Sequence, residues 1–69
     1  MIYARVGGNI RSMRRKKGLT QKELGEKCNC SHQMISGIER GTKKVTLSML
    51  DKIADALDCD MSYFIKFWG

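Results

Sequence analysis

The chain has 69 residues and a net charge of +6. This length suits one small domain over residues 1–69, because a chain of this size buries only about 60% of the surface that it exposes when unfolded. Its 42% hydrophobic and 29% charged residues exclude a disordered chain, and no apolar run approaches the roughly 20 residues of a membrane span. Met1–Arg5 lacks the apolar core of a secretory signal, so we expect a cytoplasmic protein with no membrane partner.

The charge is unevenly distributed along the chain. Residues 1–44 contain 11 Lys and Arg against 3 Asp and Glu, whereas residues 45–69 contain 2 against 4. The first part therefore has the charge to bind a polyanion, although many basic stretches are simply solvated.

The cysteines and the single histidine argue against a metal site or a catalytic site. Cys28, Cys30 and Cys59 do not have the spacing of four nearby zinc ligands, and free cysteine packs as a small hydrophobe. We expect them to be buried thiols, and we expect no metal, cofactor or small-molecule ligand. No cysteine or serine has a convincing base with an orienting group, so an enzyme is not predicted.

Val6, Ile10 and Met13 have helical spacing and predict a first helix. Gly18 followed by an apolar residue is typical of a left-handed helix end. The Gly7-Gly8 pair weakens the start of this helix and leaves its boundary open, with an extended arm over Met1–Arg5 as one alternative.

A helix, a tight turn and a second helix are predicted over about residues 20–41. Thr20, with Glu23 three residues later, forms a capping box that starts a helix at Gln21. Asn29 suits a left-handed turn, and Ser31 is a preferred cap for the second helix. Gly25 lies inside the first of these helices, which predicts a close helix crossing where alanine is tolerated.

At 100° per residue, Ile35 and Ile38 lie on one side of the second helix, and polar or small residues lie opposite. The opposite side contains Gln33, Ser36, Gly37 and Arg40. We expect the apolar side to pack on the core and the polar side to face outward.

Gly41 is predicted to end the second helix and Thr46 to cap a fourth, with apolar positions at Leu47, Leu50, Ile53, Ala54 and Leu57. Ser62 is predicted to cap a short last helix. A domain this small cannot bury every apolar residue in residues 61–69. A dimer interface is therefore predicted there, formed by Phe64, Ile65, Phe67 and Trp68. In the alternative, Phe64 and Trp68 fold back on the fourth helix.

The chain resembles the lambda-repressor-like (Cro/Xre) helix-turn-helix proteins over the predicted helix, turn and helix of about residues 20–41. The matching residues are Gln21, Leu24-Gly25, Asn29-Cys30, Ser31, Ile35-Ser36 and Glu39-Arg40-Gly41. The resemblance implies an all-α, five-helix bundle that binds double-stranded DNA. Val45 departs from the proline usual in the family, which leaves a less rigid loop but alters no recognition position.

The resemblance also implies two sets of DNA contacts. The residues expected to contact bases are Ser31, His32, Gln33 and Ser36, and the residue expected from the resemblance to contact a phosphate is Gln21. Basic residues near the two motif helices are further expected phosphate contacts because of their charge and position: Lys22, Arg40, Lys43 and Lys44. Each has a plainer interpretation as an exposed, solvated side chain. Met34 is expected either to touch a thymine methyl or to pack at the edge of the core.

Glu39 lies near the buried side of its helix, where an unpaired carboxylate is costly. In resembling repressors the arginine at the position of Arg14 pairs with it, so we expect a structural ion pair. The whole pattern predicts a transcriptional regulator, most simply a repressor that binds a near-palindromic operator as a homodimer. The alternative is a protein-interaction module of antitoxin-like or anti-regulator type with the same fold.

Overall fold

The computed structural model describes residues 2–65, and within them it contains five helices and no strand. The helices are α1 (Ile2–Lys16), α2 (Gln21–Cys28), α3 (His32–Arg40), α4 (Leu47–Ala56) and α5 (Ser62–Ile65). The all-α, five-helix prediction is confirmed.

The alternative of an extended N-terminal arm is wrong for residues 2–5, which are the first turn of α1. The backbone of Ala4 lies against Gly41, so close that a Cβ added at Gly41 would lie 2.7 Å from the Ala4 Cα atom. This tertiary contact outweighs the low helix propensity of the two glycines that follow.

The helix starts and stops follow the predicted capping residues. The Thr20 hydroxyl accepts a bond from the Glu23 N–H at 3.0 Å, and the Glu23 carboxylate accepts one from the Thr20 N–H at 2.8 Å. Asn29 has a φ of 57°, and the Ser31 hydroxyl accepts from the Met34 N–H at 3.1 Å. The caps at Gly18, Gly41 and Thr46 are confirmed in the same way. α2 and α3 are therefore joined by a short turn of fixed geometry.

One hydrophobic core lies between the helices. Its largest fully buried side chains are Val6, Ile10, Leu24, Ile35, Ile38, Ile53, Leu57 and Phe64. Met34 is partly buried and packs against this core, as one of its two expected roles requires. The buried sides of α1 and α3 meet here, which leaves the polar side of α3 outside.

Phe64 belongs to this core, and its assignment to a dimer interface is wrong. Its side chain is 0% exposed, and the carbonyl of Phe64 accepts a bond from the Asn9 amide of α1 at 2.9 Å. Ile65 is half-buried against the same core. α5 packs on α1, and Phe64 shares one buried cluster with Ile53 and Leu57 from α4 and the residue after it, which agrees for Phe64 with the alternative of burial within the same chain. Phe67 and Trp68 lie outside the described residues.

The prediction for the start of α5 needs correction. Ser62 is the first residue of α5 and does not cap it. The Asp60 carboxylate accepts from the Ser62 N–H at 2.8 Å, and this bond lowers the pKa of Asp60. The acidic side chain two residues earlier thus stabilises the start of the helix.

The backbone around Gly25 leaves no room for an alanine Cβ, contrary to the sequence prediction. A Cβ at this position would lie 2.7 Å from the Cys30 carbonyl oxygen, because the turn after α2 folds back over the helix. The Cys30 N–H also donates to the Gly25 carbonyl at 2.8 Å, which holds the turn in place. The tight contact is therefore between a helix and its own turn.

The cysteines are free thiols, of which Cys28 is buried. Burial raises the pKa of the Cys28 thiol to about 11. Cys30 and Cys59 are only half-buried, whereas the sequence predicted that all three cysteines are buried. Desolvation raises the pKa of both thiols. Within residues 2–65 no cluster of potential metal ligands occurs, and no helix there is long and apolar enough to cross a membrane.

Candidate nucleic-acid interface

α3 presents its first turn to solvent and its apolar side to the core. His32 and Gln33 are exposed, whereas Ile35 and Ile38 are fully buried. The Ser31 hydroxyl accepts from one of the N–H groups in the first turn of α3. The other N–H groups of this turn have no partner within the helix, and the helix dipole is positive at this end. The exposed end of α3 thus combines polar side chains with a favourable field for an anion.

Ser31 and Ser36 contribute hydroxyl groups next to this exposed end. The Ser31 oxygen accepts from the Met34 N–H, which leaves its own O–H free to donate. Ser36 is half-buried, and its carbonyl accepts from Arg40 Nε at 3.3 Å. Arg40 is therefore held along α3 with the rest of its guanidinium still able to donate.

Gly37 lies one turn after Gln33 on the outward side, and the stem of Lys43 crosses it. A Cβ at Gly37 would lie 2.4 Å from the Lys43 Cγ atom. The Gly37 carbonyl accepts from the N–H groups of Thr42 at 2.9 Å and Lys43 at 3.2 Å, which fixes the loop over the helix. The missing side chain thus makes space for a lysine on the recognition side, a contact that helical periodicity alone does not reveal.

The remaining candidates for phosphate contact surround this surface. Lys22, Arg40, Lys43 and Lys44 are all exposed. Lys22 lies in the first turn of α2, and the others lie at the end of α3 and in the loop after it. Exposed basic side chains therefore occur at the start of α2 and at the C-terminal end of α3 with the loop after it.

The predicted ion pair is present beneath this surface. Arg14 Nε donates to Glu39 Oε2 at 2.6 Å, and Arg14 Nη2 donates to Glu39 Oε1 at 3.0 Å. Both residues are more than nine-tenths buried. Arg14 Nη1 also donates to the Leu19 carbonyl at 2.7 Å. This bidentate pair ties α1 to the end of α3 and to the segment before α2.

Gln21 extends the pair to the exposed start of α3, a link that the sequence analysis missed. Its Nε2 donates to Glu39 Oε1 at 3.0 Å, and its Oε1 lies 3.1 Å from His32 Nε2. Gln21 is half-buried and opens α2, while His32 opens α3. The side chain expected to bind a phosphate therefore already links the buried carboxylate to a candidate base reader, with one of its two N–H groups left over.

The chain matches a family model described as helix-turn-helix, HTH_3, over residues 10–64. An uncharacterized HTH-type transcriptional regulator from Sinorhizobium fredii is 42% identical over 52 residues, which are 75% of this chain and 68% of that protein. The immunity repressor of Bacillus phage phi105 is 37% identical over 87% of this chain, but the match covers only 42% of the repressor. The chain spans about half the length of most of the relatives it matches, such as 49% of a regulator from Rickettsia conorii.

Solved structures of regulators have the same fold. The clp gene regulator ClgR from C. glutamicum superposes with a TM-score of 0.92 at 30% identity, over 96% of this chain and 86% of that one. The restriction-modification controller protein C.AhdI from Aeromonas hydrophila gives 0.88 at 31% identity, over 90% of each chain.

Proposed function

Because the chain belongs to the HTH_3 family of helix-turn-helix transcriptional regulators, we propose that it recognises a specific double-stranded operator through α3 and acts there as a repressor. The observation that supports this proposal is the exposed first turn of α3, with His32 and Gln33 outward and exposed basic residues at the start of α2 and after the end of α3. The family binds double-stranded DNA and its members are not enzymes, so the site is a binding surface.

The dimensions of DNA suit this surface. A major groove about 12 Å wide admits one α-helix, whose N-terminal side chains then meet base edges. Gln33 can form two hydrogen bonds to an adenine, through N6 and N7. Lys22, Arg40, Lys43 and Lys44 would then contact phosphates, which position the helix without reading sequence.

Repression follows most simply from occupation of a promoter. A domain of this size that covers an operator excludes other proteins from it. Among the relatives, a phage immunity repressor is similar over 60 residues, although the chain spans less than half of that protein. This mode of action requires no effector and does not depend on which genes the operator controls.

Replacement of Gln33 by alanine is the direct test of base reading. We expect Gln33→Ala to weaken binding to the preferred site by about 1–3 kcal/mol and to leave binding to random DNA nearly unchanged. Fluorescence anisotropy on both DNAs measures the two affinities. The matched control is Lys44→Met, which should weaken both equally; an equal loss for Gln33→Ala would place Gln33 outside the base-reading set.

The proposed operator is a near-palindrome bound by a homodimer. Two recognition helices in a symmetric dimer read half-sites about 34 Å apart, one turn of DNA. Because Phe64 is in the core, the interface prediction depends on the other three residues, Ile65, Phe67 and Trp68. Of these, Phe67 and Trp68 lie outside the described residues. We expect sedimentation at micromolar concentration to show a dimer that Phe67→Ser/Trp68→Ser weakens. A wild-type monomer on and off DNA, or a double mutant still fully dimeric, would exclude this arrangement.

A further inference from the structure

The bonds of Gln21 have a definite polarity. An ionised carboxylate only accepts hydrogen bonds, so the Gln21 atom 3.0 Å from Glu39 Oε1 is the amide nitrogen. Both Glu39 oxygens also accept a hydrogen bond from Arg14, so they face donors only. The Gln21 oxygen must consequently point towards His32.

This polarity fixes the proton on His32. The Gln21 oxygen accepts hydrogen bonds and cannot donate, so His32 Nε2, at 3.1 Å, carries the N–H. A neutral imidazole has one N–H, and Nδ1 is then an acceptor with a free lone pair. Within residues 2–65, no other group hydrogen-bonds to the ring, and the side chain is exposed.

We propose that His32 is a specificity-determining residue that accepts a hydrogen bond from an exocyclic amino group, the N4 of cytosine or the N6 of adenine. Gln21 is the positioning residue that selects this tautomer. In the major groove only cytosine and adenine present a donor; guanine and thymine present acceptors alone, and adenine presents the N7 acceptor beside its amino group. The inference rests on the proposed function, because it requires the first turn of α3 to lie in the groove.

Polarity distinguishes this role from a general contact. A histidine that touched the backbone would show no base preference. One that donated from Nδ1 would bind the acceptors of guanine, thymine or adenine N7 and would not select cytosine. The buried pair of Arg14 and Glu39 thus influences base choice through two successive hydrogen bonds. A phosphate bound by the second N–H of Gln21 would leave this polarity unchanged.

The test measures binding to the preferred operator with every base placed in turn at each position. We expect one position per half-site where the wild type prefers cytosine or adenine by about five- to 150-fold, and where His32→Ala removes the preference. Gln21→Met should reduce it at the same position only. His32→Lys, a donor without an acceptor, should shift the preference to guanine.

The control is Lys22→Met, the neighbour of Gln21 on the first turn of α2, which should lower affinity equally for all bases. Thermal melts show that each variant is folded. A His32-dependent preference for guanine or thymine in the wild type, no His32-dependent position, or a Gln21→Met pattern equal to wild type would overturn the inference while base selection by Gln33 persists. If the wild type showed no base preference at any position, this result would instead overturn the proposed function, and this inference with it.

Discussion

Replacement of Arg14 by methionine is expected to lower the free energy of unfolding by about 3–5 kcal/mol. The change leaves the Glu39 carboxylate buried without its two hydrogen bonds from the guanidinium. The Leu19 carbonyl also loses the hydrogen bond that it accepts from Arg14. Gln21 still donates to Glu39, but a neutral amide does not replace the charge. Urea denaturation measures the loss, and Arg15→Met, an exposed neighbour, should stay within about 0.5 kcal/mol of wild type.

The partner change should rescue this loss. A buried ion pair replaced as a whole by apolar residues is often close to neutral, because its desolvation cost disappears with it. We therefore expect Arg14→Met/Glu39→Leu to recover much of the stability lost in Arg14→Met. If the effects of the two single changes simply add, positions 14 and 39 are not coupled and the structural role of the pair is refuted.

Gly7→Ala and Gly8→Ala are expected to have opposite effects although the residues are adjacent in α1. A Cβ at Gly7 would lie 2.1 Å from the Ile38 carbonyl oxygen and 2.7 Å from that of Glu39, and backbone atoms cannot move aside without separating α1 from α3. We expect a loss of about 3 kcal/mol or more, at the upper end of overpacking costs. A Cβ at Gly8 would meet nothing within 4 Å, so alanine should add about 0.5–1 kcal/mol.

Thermal and urea denaturation of the two variants measure this contrast. Because the substitutions are chemically identical and one residue apart, helix propensity cancels from the comparison. Two stabilising changes would show that α1 and α3 do not approach each other as closely as described.

The local features of the fold were predictable because their causes are local. The capping box at Thr20, the left-handed Asn29 and the cap at Ser31 each depend on residues within three or four positions. The prediction for Gly25 was wrong, and the close packing at Gly7 was not predicted, for the opposite reason. Their small size is required by backbone atoms that approach from Ile38 and Cys30, and composition does not reveal such approaches.

The same distinction applies to the candidate site. Helical periodicity placed Gln33 outside and Ile35 inside without any tertiary information. The link from Gln21 to Glu39 and His32 depends on how the starts of α2 and α3 and the end of α3 meet, so sequence reasoning assigned Gln21 only to phosphate. The sequence does not show that α5 packs on α1 and that the core therefore has room for the Phe64 ring. For this reason Phe64 was assigned to an interface.

Selection of bound sequences from a random double-stranded DNA pool tests the central claim most directly. We predict one enriched near-palindrome with half-sites about 10 base pairs apart, whose affinity falls steeply as salt is added because phosphate contacts release counterions. No enriched sequence, together with salt-insensitive binding to a protein instead, would contradict the claim that α3 reads operator DNA and would favour the protein-interaction module.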